Sequence, residues 1–455
     1  MKTELKAGAL SLFESVVMGI AGSAPGYTIA VTTAVLLGTA GPLSPGALLI
    51  FAVPMLGIAV AYKALNRLHV SAGAAYEWTS VYFGKFLGFF SGWALLVASM
   101  VFMVTGSLPL ATATLDFVDP ALADNVVLSA AIASVWFLAV ATVLIVGIKV
   151  TSGVQVVMTS IELIVLCVVL GAAFLHKAHT GAANPFHWSW FGFGYTPASF
   201  AASALIVVFF YWGWDVTANL GEETEDGHEN AGNGGFVSVF ITIAFYMAFV
   251  MAALLLFSLK DAKGFNANII YNIAVASGLG RNGALFASAA VILSSIATLE
   301  TTMLQFSRTL FAMGRDGAMP IFFGFVDART QTPVRAMLVL IALGLLLVWG
   351  SSLMPTVHQV IQDSVNAVGV LVAYYYGFAG FVAAWAFRAV WRDSVLRWVG
   401  AAAFPALSGL VLIALGIYAI TTFDLITKIA GIGGLFAGIV FFRPQSWRTT
   451  PAVAH

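Results

Sequence analysis

Residues 18–27 read MGIAGSAPGY and interrupt the first long apolar segment of the chain. The stretch gathers Gly19, Gly22, Pro25 and Gly26 around Ser23. In a helix interior Gly costs about 1 kcal/mol and Pro about 3 kcal/mol relative to Ala, and Pro also removes a backbone N–H. At membrane depth, an interrupted helix is tolerated only where protein or a water-filled cavity surrounds it. Two interpretations follow: a packing kink, because Gly and Pro are common in membrane helices, or the binding site of a carrier.

The composition around this stretch indicates a membrane protein with many spans. Of 455 residues, 60% are hydrophobic and 9% are charged, and the mean hydropathy is +0.97. The formal net charge is zero, so nucleic acid is not an expected partner. Cys167 is the single cysteine, which excludes a disulfide framework. No cofactor is expected. No metal is expected either, because His176, His179 and His187 in the loop 176–197 lack ligand spacing.

A membrane span needs about 20 mostly apolar residues, and the chain contains twelve such segments. They lie at 12–38, 46–64, 84–115, 126–147, 151–175, 198–220, 233–258, 283–312, 334–353, 364–387, 395–420 and 425–442. A short helix outside the membrane is expected at 266–277. With the N-terminus inside, 15 of the 20 Lys and Arg residues fall on the cytoplasmic side. The positive-inside rule therefore predicts that both termini are cytoplasmic. The expected location is the plasma membrane, which the chain crosses many times.

A second interruption lies in the sixth segment, where residues 209–226 read FFYWGWDVTANLGEETED. Gly213 divides an aromatic run, and Asp215 follows it at membrane depth. The acidic run after it is expected to form a solvated helix end; it consists of Glu222, Glu223, Glu225 and Asp226. Spans one and six are the first members of two five-helix halves. Matching interruptions in two halves are the best pointer in a sequence to a transport site.

Carboxylates occur at membrane depth without nearby bases. Glu162, Asp215 and Glu300 fall at or near mid-span, and Glu14 falls in the inner half of span one. No Lys or Arg is expected at comparable depth. Acids inside a membrane usually serve function. Three interpretations stay open: they carry protons for symport, they face a cationic group of a substrate, or they are protonated and structural.

Five motifs resemble, in order and spacing, those of the amino acid–polyamine–organocation superfamily in its prokaryotic permease branch. They are SAGAAYEWTSVYFGKFLGFFSGW at 71–93, GIKVTSGVQVVMTSIEL at 147–163, FFYWGWDVTANLGEET at 209–224, SRTLFAMGRDGAMP at 307–320 and TPVRA at 332–336. The resemblance covers the whole chain. It implies an all-α, LeuT-type fold of twelve transmembrane helices, with 5+5 inverted repeats and helices one and six broken. The halves are then 1–175 and 176–390, with two accessory helices and a cytoplasmic tail at 391–455.

The resemblance also implies a substrate site between spans one, three, six, eight and ten, reached by alternating access. In the family, free amides after the first break hold a substrate carboxylate at a helix N-terminus. Here the break reads Gly22-Ser23-Ala24-Pro25-Gly26, and Pro25 deletes one amide. A carboxylate could still use the amides of Ala24 and Gly26 with the hydroxyl of Ser23. This reduced cradle favours amine substrates.

Each intramembrane acid has an expected role. Glu162 stands where many relatives have Lys, which makes it the first choice for proton coupling. Asp215 aligns with an acid common in the family and is expected in gating or helix positioning. Glu300 is unusual for the family and is predicted to be the counter-charge of a substrate amine. Sodium coupling stays possible, since span eight also carries hydroxyl groups at Ser294, Ser295, Thr301 and Thr302.

Aromatic residues complete the predicted site. Phe210, Trp212 and Trp214 flank the second break, and Tyr374 begins the run Tyr374–Tyr376 in span ten. Rings around an ammonium contribute about 0.5–2 kcal/mol by cation–π attraction, although packing alone also explains aromatic residues.

The predicted function is secondary active transport of an amino acid or small amine, coupled to protons and favouring a cationic amine or polyamine. The alternative is a neutral amino-acid symporter or exchanger whose acids serve protons only. A channel is a more distant alternative. The chain is not expected to be an enzyme, because no catalytic motif is present.

Overall fold

The computed structural model describes residues 4–118, 122, 125–263, 268–354 and 356–443. Every regular element in these ranges is helical. Nine helical stretches in the described ranges are long and apolar enough to cross a membrane, and the first, Leu12–Leu68, contains two spans. Two shorter apolar helices, Pro197–Phe210 and Leu425–Phe441, supply spans six and twelve. The predicted tail after residue 443 lies outside the described residues.

The twelve spans occur in the predicted order. Span one is Leu12–Ser23 with Pro25–Ala40, and span six is Pro197–Phe210 with Val216–Asn219. The others are Ser44–Leu68, Lys85–Asp116, Val126–Val146, Ile148–Thr180, Gly227–Leu256, Gly280–Arg315, Val334–Ser351, Val357–Ala386, Phe404–Thr422 and, in three continuous pieces, Leu425–Lys428, Ile429–Gly433 and Gly434–Phe441. Residues 266 and 267 of the helix expected at 266–277 lie outside the described residues; the rest is present as Ile269–Ala274 and continues as a π-helical turn, Val275–Leu279. A separate helix, Ala75–Phe83, lies between spans two and three.

Span one breaks at a single residue, Ala24. Its first half ends with Ala24 in the left-handed conformation, with φ 44° and ψ 72°. That conformation costs a residue with a Cβ roughly 1–2 kcal/mol. Pro25 then opens the second half, where its missing N–H would have no helical partner in any case. The break that the sequence predicts within Gly22–Gly26 is therefore formed by Ala24 and Pro25 rather than by a glycine.

Span six breaks after Phe210, and Gly213 has a φ of 104°. The two breaks meet at Gly22 and Gly213. A Cβ added at Gly22 would overlap the carbonyl oxygen of Gly213, and a Cβ added at Gly213 would overlap that of Gly22. Both positions therefore require glycine so that the two backbones can touch.

The end of the bundle where span one begins carries Lys149, Arg308 and Arg315 and is the basic face of the protein. The acidic run predicted to be solvated reaches this face; Glu225 and Asp226 are exposed and Glu222 is partly exposed, but for Glu223 the prediction is wrong. The side chain of Glu223 is fully buried and accepts two hydrogen bonds from Arg308, each 2.9 Å. Glu222 accepts from Arg315 at 2.9 Å and from the Ala72 amide at 2.9 Å. The Ala9 N–H donates to the Glu223 carbonyl and the Ala72 N–H to the Glu222 carboxylate, so the N-terminal segment and the loop after span two contact these residues, which hydropathy alone cannot reveal.

Glu14 also differs from expectation, because a base reaches it. Its carboxylate accepts from Lys149 Nζ at 2.7 Å and from the Ser152 hydroxyl at 3.1 Å. The same carboxylate closes a capping box with Ser11 at the start of span one. Lys149 lies at the start of span five, so it reaches Glu14 only after the helices pack. Glu14 is therefore part of the structure of the basic face.

Candidate functional site

Span eight runs past both breaks and contacts them with one face. On this face, the Ser294 hydroxyl accepts the backbone N–H of Tyr27 at 3.0 Å. One turn later, the Thr298 hydroxyl donates to the carbonyl oxygen of Gly22 at 3.0 Å. These bonds use backbone groups that the interruption of span one leaves without helical partners.

The same face of span eight continues to span six. Gln305 Nε2 donates to the Asp215 carboxylate at 2.7 Å, and the Thr309 hydroxyl accepts from Asn219 Nδ2 at 3.0 Å. Residues separated by three, four or seven positions share a helix face, and Ser294, Thr298 and these two residues follow that spacing. Span eight thus links the two broken helices through side-chain hydrogen bonds.

Glu162 lies at the start of the second half of span one and is fully buried. Its Oε1 accepts the backbone N–H of Gly26 at 2.8 Å and the hydroxyl of Ser294 at 2.8 Å. Its other oxygen, Oε2, has no hydrogen-bond partner in the described part of the chain. A carboxylate at a helix N-terminus is stabilised by the unsatisfied amides and the helix dipole. Glu162 therefore acts as a cap that comes from another span.

The predicted carboxylate cradle of span one has its donors already in use. The Ala24 N–H donates to a carbonyl one turn earlier at 2.8 Å, and the Gly26 N–H donates to Glu162. The Ser23 hydroxyl donates to a carbonyl of its own helix at 3.2 Å. The structure thus places Ala24, Gly26 and Ser23 together at the break, but each of these donor groups already has a partner within the protein.

Asp215 lies after the second break, and its carboxylate receives three side-chain donors. Besides Gln305, the hydroxyls of Tyr375 and Tyr376 donate to it at 3.1 Å and 2.9 Å. These contacts join span six to spans eight and ten at the level of the break. They are the contacts expected of a residue that positions a helix, which is one of the two roles predicted for Asp215.

The predicted aromatic residues separate into two groups. Trp212 faces the breaks: its Nε1 donates to the Tyr375 hydroxyl at 2.6 Å. Phe210 instead packs against Tyr246 of span seven, with ring centroids 5.1 Å apart. Tyr374 is partly exposed and packs on Phe378 at 4.8 Å, because successive residues rotate by about 100° around a helix. Tyr375 and Tyr376, rather than Tyr374, therefore face span six.

Trp214 belongs to an aromatic group nearer the basic face. Its ring lies 5.2 Å from that of Tyr62 and 5.7 Å from that of Tyr376. Trp214 Nε1 and the Tyr62 hydroxyl are buried and have no hydrogen-bond partner among the described residues. Trp214 is thus close to the second break but on the side away from Trp212.

An aromatic cluster lies beside the breaks, and the sequence pattern predicts only one of its members, Trp212; it consists of Tyr27, Phe102, Phe209 and Trp212. The Phe102 ring is 5.1 Å from Trp212, 5.9 Å from Tyr27 and 6.3 Å from Phe209. The Tyr27 hydroxyl donates to the Thr105 carbonyl at 2.9 Å, which joins span one to span three. The position of Tyr27 directly after the break was a usable signal, whereas Phe102 has no distinguishing local pattern.

Glu300 does not join these groups. Its side chain is buried, with 1% of the residue exposed, and Oε2 has no hydrogen-bond partner in the described ranges. It follows Thr298 by two positions, which is about 200° around the helix. The structure therefore turns Glu300 away from the face of span eight that contacts both breaks. Its contact with a substrate amine stays a prediction.

Three buried acids remain without a base. In the described part of the chain, Glu162, Asp215 and Glu300 form no ion pair with Lys or Arg. Within the same ranges, no group of three or more His, Cys, Asp and Glu side chains is arranged to hold a metal ion. The groups that the structure brings together at the breaks include carboxylates, hydroxyls, backbone carbonyls and aromatic rings.

Comparison with known proteins agrees with this architecture. The family model described as amino acid permease matches residues 10–441. The chain is 26% identical over 364 residues to "Cationic amino acid transporter 4, vacuolar" of Arabidopsis thaliana, a match that covers 74% of this chain and 57% of the plant protein. The chain thus spans little more than half the length of that relative.

Two bacterial transporters are similar over most of their length. The chain is 25% identical over 360 residues to "Low-affinity putrescine importer PlaP" of Escherichia coli (strain K12), covering 74% of each protein. It is 24% identical over 362 residues to "Methylthioribose transporter" of Bacillus subtilis (strain 168), covering 73% of each. With its twelve spans, two broken helices and match from residue 10 to residue 441, the chain belongs to the amino acid permease family of multi-pass membrane transporters and is not an enzyme.

Proposed function

We propose that this chain carries a small organic amine, including di- and polyamines, across the plasma membrane by alternating access, driven by protons. The substrate site lies where spans one and six break and where spans three, eight and ten meet them. The observation that carries the proposal is the charge of this region: Glu162 and Asp215 are fully buried there, with no basic partner in the described ranges. A buried negative charge is costly unless a proton, a cation or hydrogen bonds compensate it.

The aromatic cluster supports a cationic substrate. Trp212 and Phe102 come from different spans and present an edge-to-face pair beside the break. Rings of this kind attract ammonium groups by about 0.5–2 kcal/mol. Relatives of the chain also fit, because one is named as a putrescine importer and another as a cationic amino acid transporter.

Glu162 supports proton coupling. Its Oε1 accepts the Gly26 N–H at the start of the second half of span one, while Oε2 lacks a partner among the described residues. The free oxygen can take a proton without loss of the Oε1 contacts. Protonation would change the charge at the break and so couple proton binding to the position of span one. A transport assay with imposed ion gradients distinguishes sodium coupling from proton coupling.

A neutral amino acid is a second candidate, favoured by one observation. Asp215 already receives Gln305, Tyr375 and Tyr376 as donors, so it has less need of a substrate cation. In that case the acids serve protons and helix positioning only.

Uptake by the purified protein in liposomes tests these proposals. Labelled cadaverine, labelled leucine and an imposed pH gradient are the probes. We expect cadaverine uptake that a proton gradient drives and that a sodium gradient does not. Uptake of leucine alone would replace the amine proposal with the neutral amino-acid candidate. Sodium-driven uptake in the absence of a pH gradient would overturn proton coupling.

We further propose that the basic face is cytoplasmic, with both chain ends on that side, and that residues 1–175 and 176–390 form the two repeat halves, followed by two accessory helices. The excess of Lys and Arg supports this orientation. In a Cys167→Ser background, an impermeant maleimide added to intact cells should label Ser189→Cys and not Ala328→Cys. The reverse labelling would invert the topology.

A further inference from the structure

The first turn of the outer half of span one has no free backbone donor. Pro25 has no N–H, the Gly26 N–H donates to Glu162 at 2.8 Å and the Tyr27 N–H donates to Ser294 at 3.0 Å. The next amide, that of Thr28, donates to the carbonyl of Ala24 at 2.9 Å. A helix start in a membrane interior attracts an anion through such donors and through its dipole. Here the protein supplies the anion itself.

The carboxylate of Glu162 is held in this position from two directions. Ser294 donates its hydroxyl to Oε1 at 2.8 Å and also accepts the Tyr27 N–H, so span eight fixes both the acid and the helix start. A Cβ built on Gly26 would lie 3.3 Å from Oε1 and 3.2 Å from the Ser294 Cβ. A second carboxylate would therefore have to displace Glu162 and would meet its negative charge.

We infer that Glu162 occupies the place of a substrate carboxylate and thereby determines specificity: the transporter accepts amines that lack a carboxylate and rejects the corresponding amino acids. This inference rests on the proposed transport of amines. It assigns to Glu162 a second task beside proton uptake, since Oε1 fills the helix start while Oε2 is the oxygen left for a proton. Buried Glu162 thus replaces, within the protein, the negative group that an amino acid would bring.

Ligand pairs that differ only in the carboxylate test this inference. Cadaverine is lysine without its carboxylate, and putrescine is ornithine without it. The measurement is the dissociation constant of each ligand for the purified full chain in detergent, obtained from the rise in thermal midpoint with ligand concentration. The selectivity ratio is the dissociation constant of the amino acid divided by that of its amine. For the wild type, we expect this ratio to be at least about 10 for both pairs.

Two variants of Glu162 should lower that ratio. Glu162→Ala removes the acceptor of the Gly26 N–H, so that an amino-acid carboxylate can take its place. Glu162→Gln removes only the charge, and its amide oxygen is a weaker acceptor than a carboxylate. It serves if the alanine variant does not fold. In either variant the selectivity ratio should fall at least about threefold, whereas the surface control Glu229→Gln should keep the wild-type ratio.

The outcomes separate this inference from the proposed function. If the wild type binds lysine and ornithine as tightly as the diamines, or if both Glu162 variants keep the wild-type ratio, the inference is overturned while amine transport stands. If the wild type binds none of the four ligands, the proposed function fails and the inference fails with it. A ratio that falls in the variants for both pairs supports the assignment of Glu162.

Discussion

Gly22 of span one and Gly213 of span six touch backbone to backbone where the two broken helices meet. Each glycine leaves no room for a Cβ, because the atom in the way is the carbonyl oxygen of the other. Backbone atoms cannot move aside as a flexible side chain can. Any relative motion of spans one and six must begin from this contact.

We therefore expect Gly22→Ala to abolish substrate uptake and to lower the free energy of unfolding by about 1–3 kcal/mol, as in other overpacked cores. Uptake in liposomes and unfolding in detergent provide the two measurements. Gly153→Ala is the matched control, because Gly153 lies in span five with no atom within 4 Å of the added Cβ. That variant should keep full uptake. Normal uptake by Gly22→Ala would contradict the need for close contact at the breaks.

The three tyrosines of span ten offer a matched series around Asp215. Tyr375→Phe and Tyr376→Phe each remove one donor to a buried carboxylate, and a hydrogen bond to a charged group is worth about 1.5–3 kcal/mol. Tyr374→Phe removes a hydroxyl that does not contact Asp215, so it should change stability much less. Thermal midpoints of the three variants, measured side by side, test whether Tyr375 and Tyr376 stabilise the protein through Asp215. Equal effects at all three positions would show that Asp215 does not depend on these donors.

Arg308 and Glu223 form an ion pair whose side chains are both fully buried. Arg308→Met or Glu223→Gln leaves one buried group unpaired, and each should cost about 3–5 kcal/mol. The double variant should cost less than the sum of the two single changes, since it leaves no charge behind. Chemical unfolding of all four proteins completes the cycle. The exposed pair Arg67–Glu229 is the control, and its single variants should unfold like the wild type.

The carboxyl groups of Glu77 and Asp316 meet on the basic face, outside the membrane spans. The pKa of Glu77 is raised to about 8, mainly by burial and also by the charge and a hydrogen bond of the nearby Asp316 carboxyl, while Arg315 opposes the shift. The pKa of Asp316 is also raised, mainly by burial. Glu222, which pairs with Arg315, adds to the negative charge around Glu77.

The folded protein therefore binds a proton at Glu77 more tightly than the unfolded chain, for which the ordinary pKa is 4.5. This contribution to stability is complete below pH 4.5 and is lost as the pH rises towards 8. The thermal midpoint of the wild type should accordingly fall between pH 5 and pH 9 by more than that of Glu77→Gln, which keeps a neutral side chain. Parallel pH profiles for the two proteins would contradict tighter proton binding at Glu77 in the folded state.

The sequence by itself determined the number and order of the spans, the two interruptions and the depth of Glu162 and Asp215. These features are local: hydropathy over about twenty residues defines a span, and Gly and Pro disfavour a helix wherever they occur. The motif order also indicated the family before any contact was known. Even so, the local sequence pattern located the break of span one only to within five residues, whereas packing located it at Ala24.

Only the tertiary structure decided which groups close the breaks. Glu162 and Gly26 are 136 positions apart, and Asp215 and Tyr376 are 161 apart; no periodicity in the sequence relates them. The same is true of Arg308 and Glu223: the sequence predicts a solvated Glu223, and the structure buries it in an ion pair. Every polar group in a membrane interior needs a hydrogen-bond partner. The sequence shows that a partner is needed but does not identify it. Packing decides which donor lies within 3 Å, and here it gave the helix start of span one to the protein's own carboxylate.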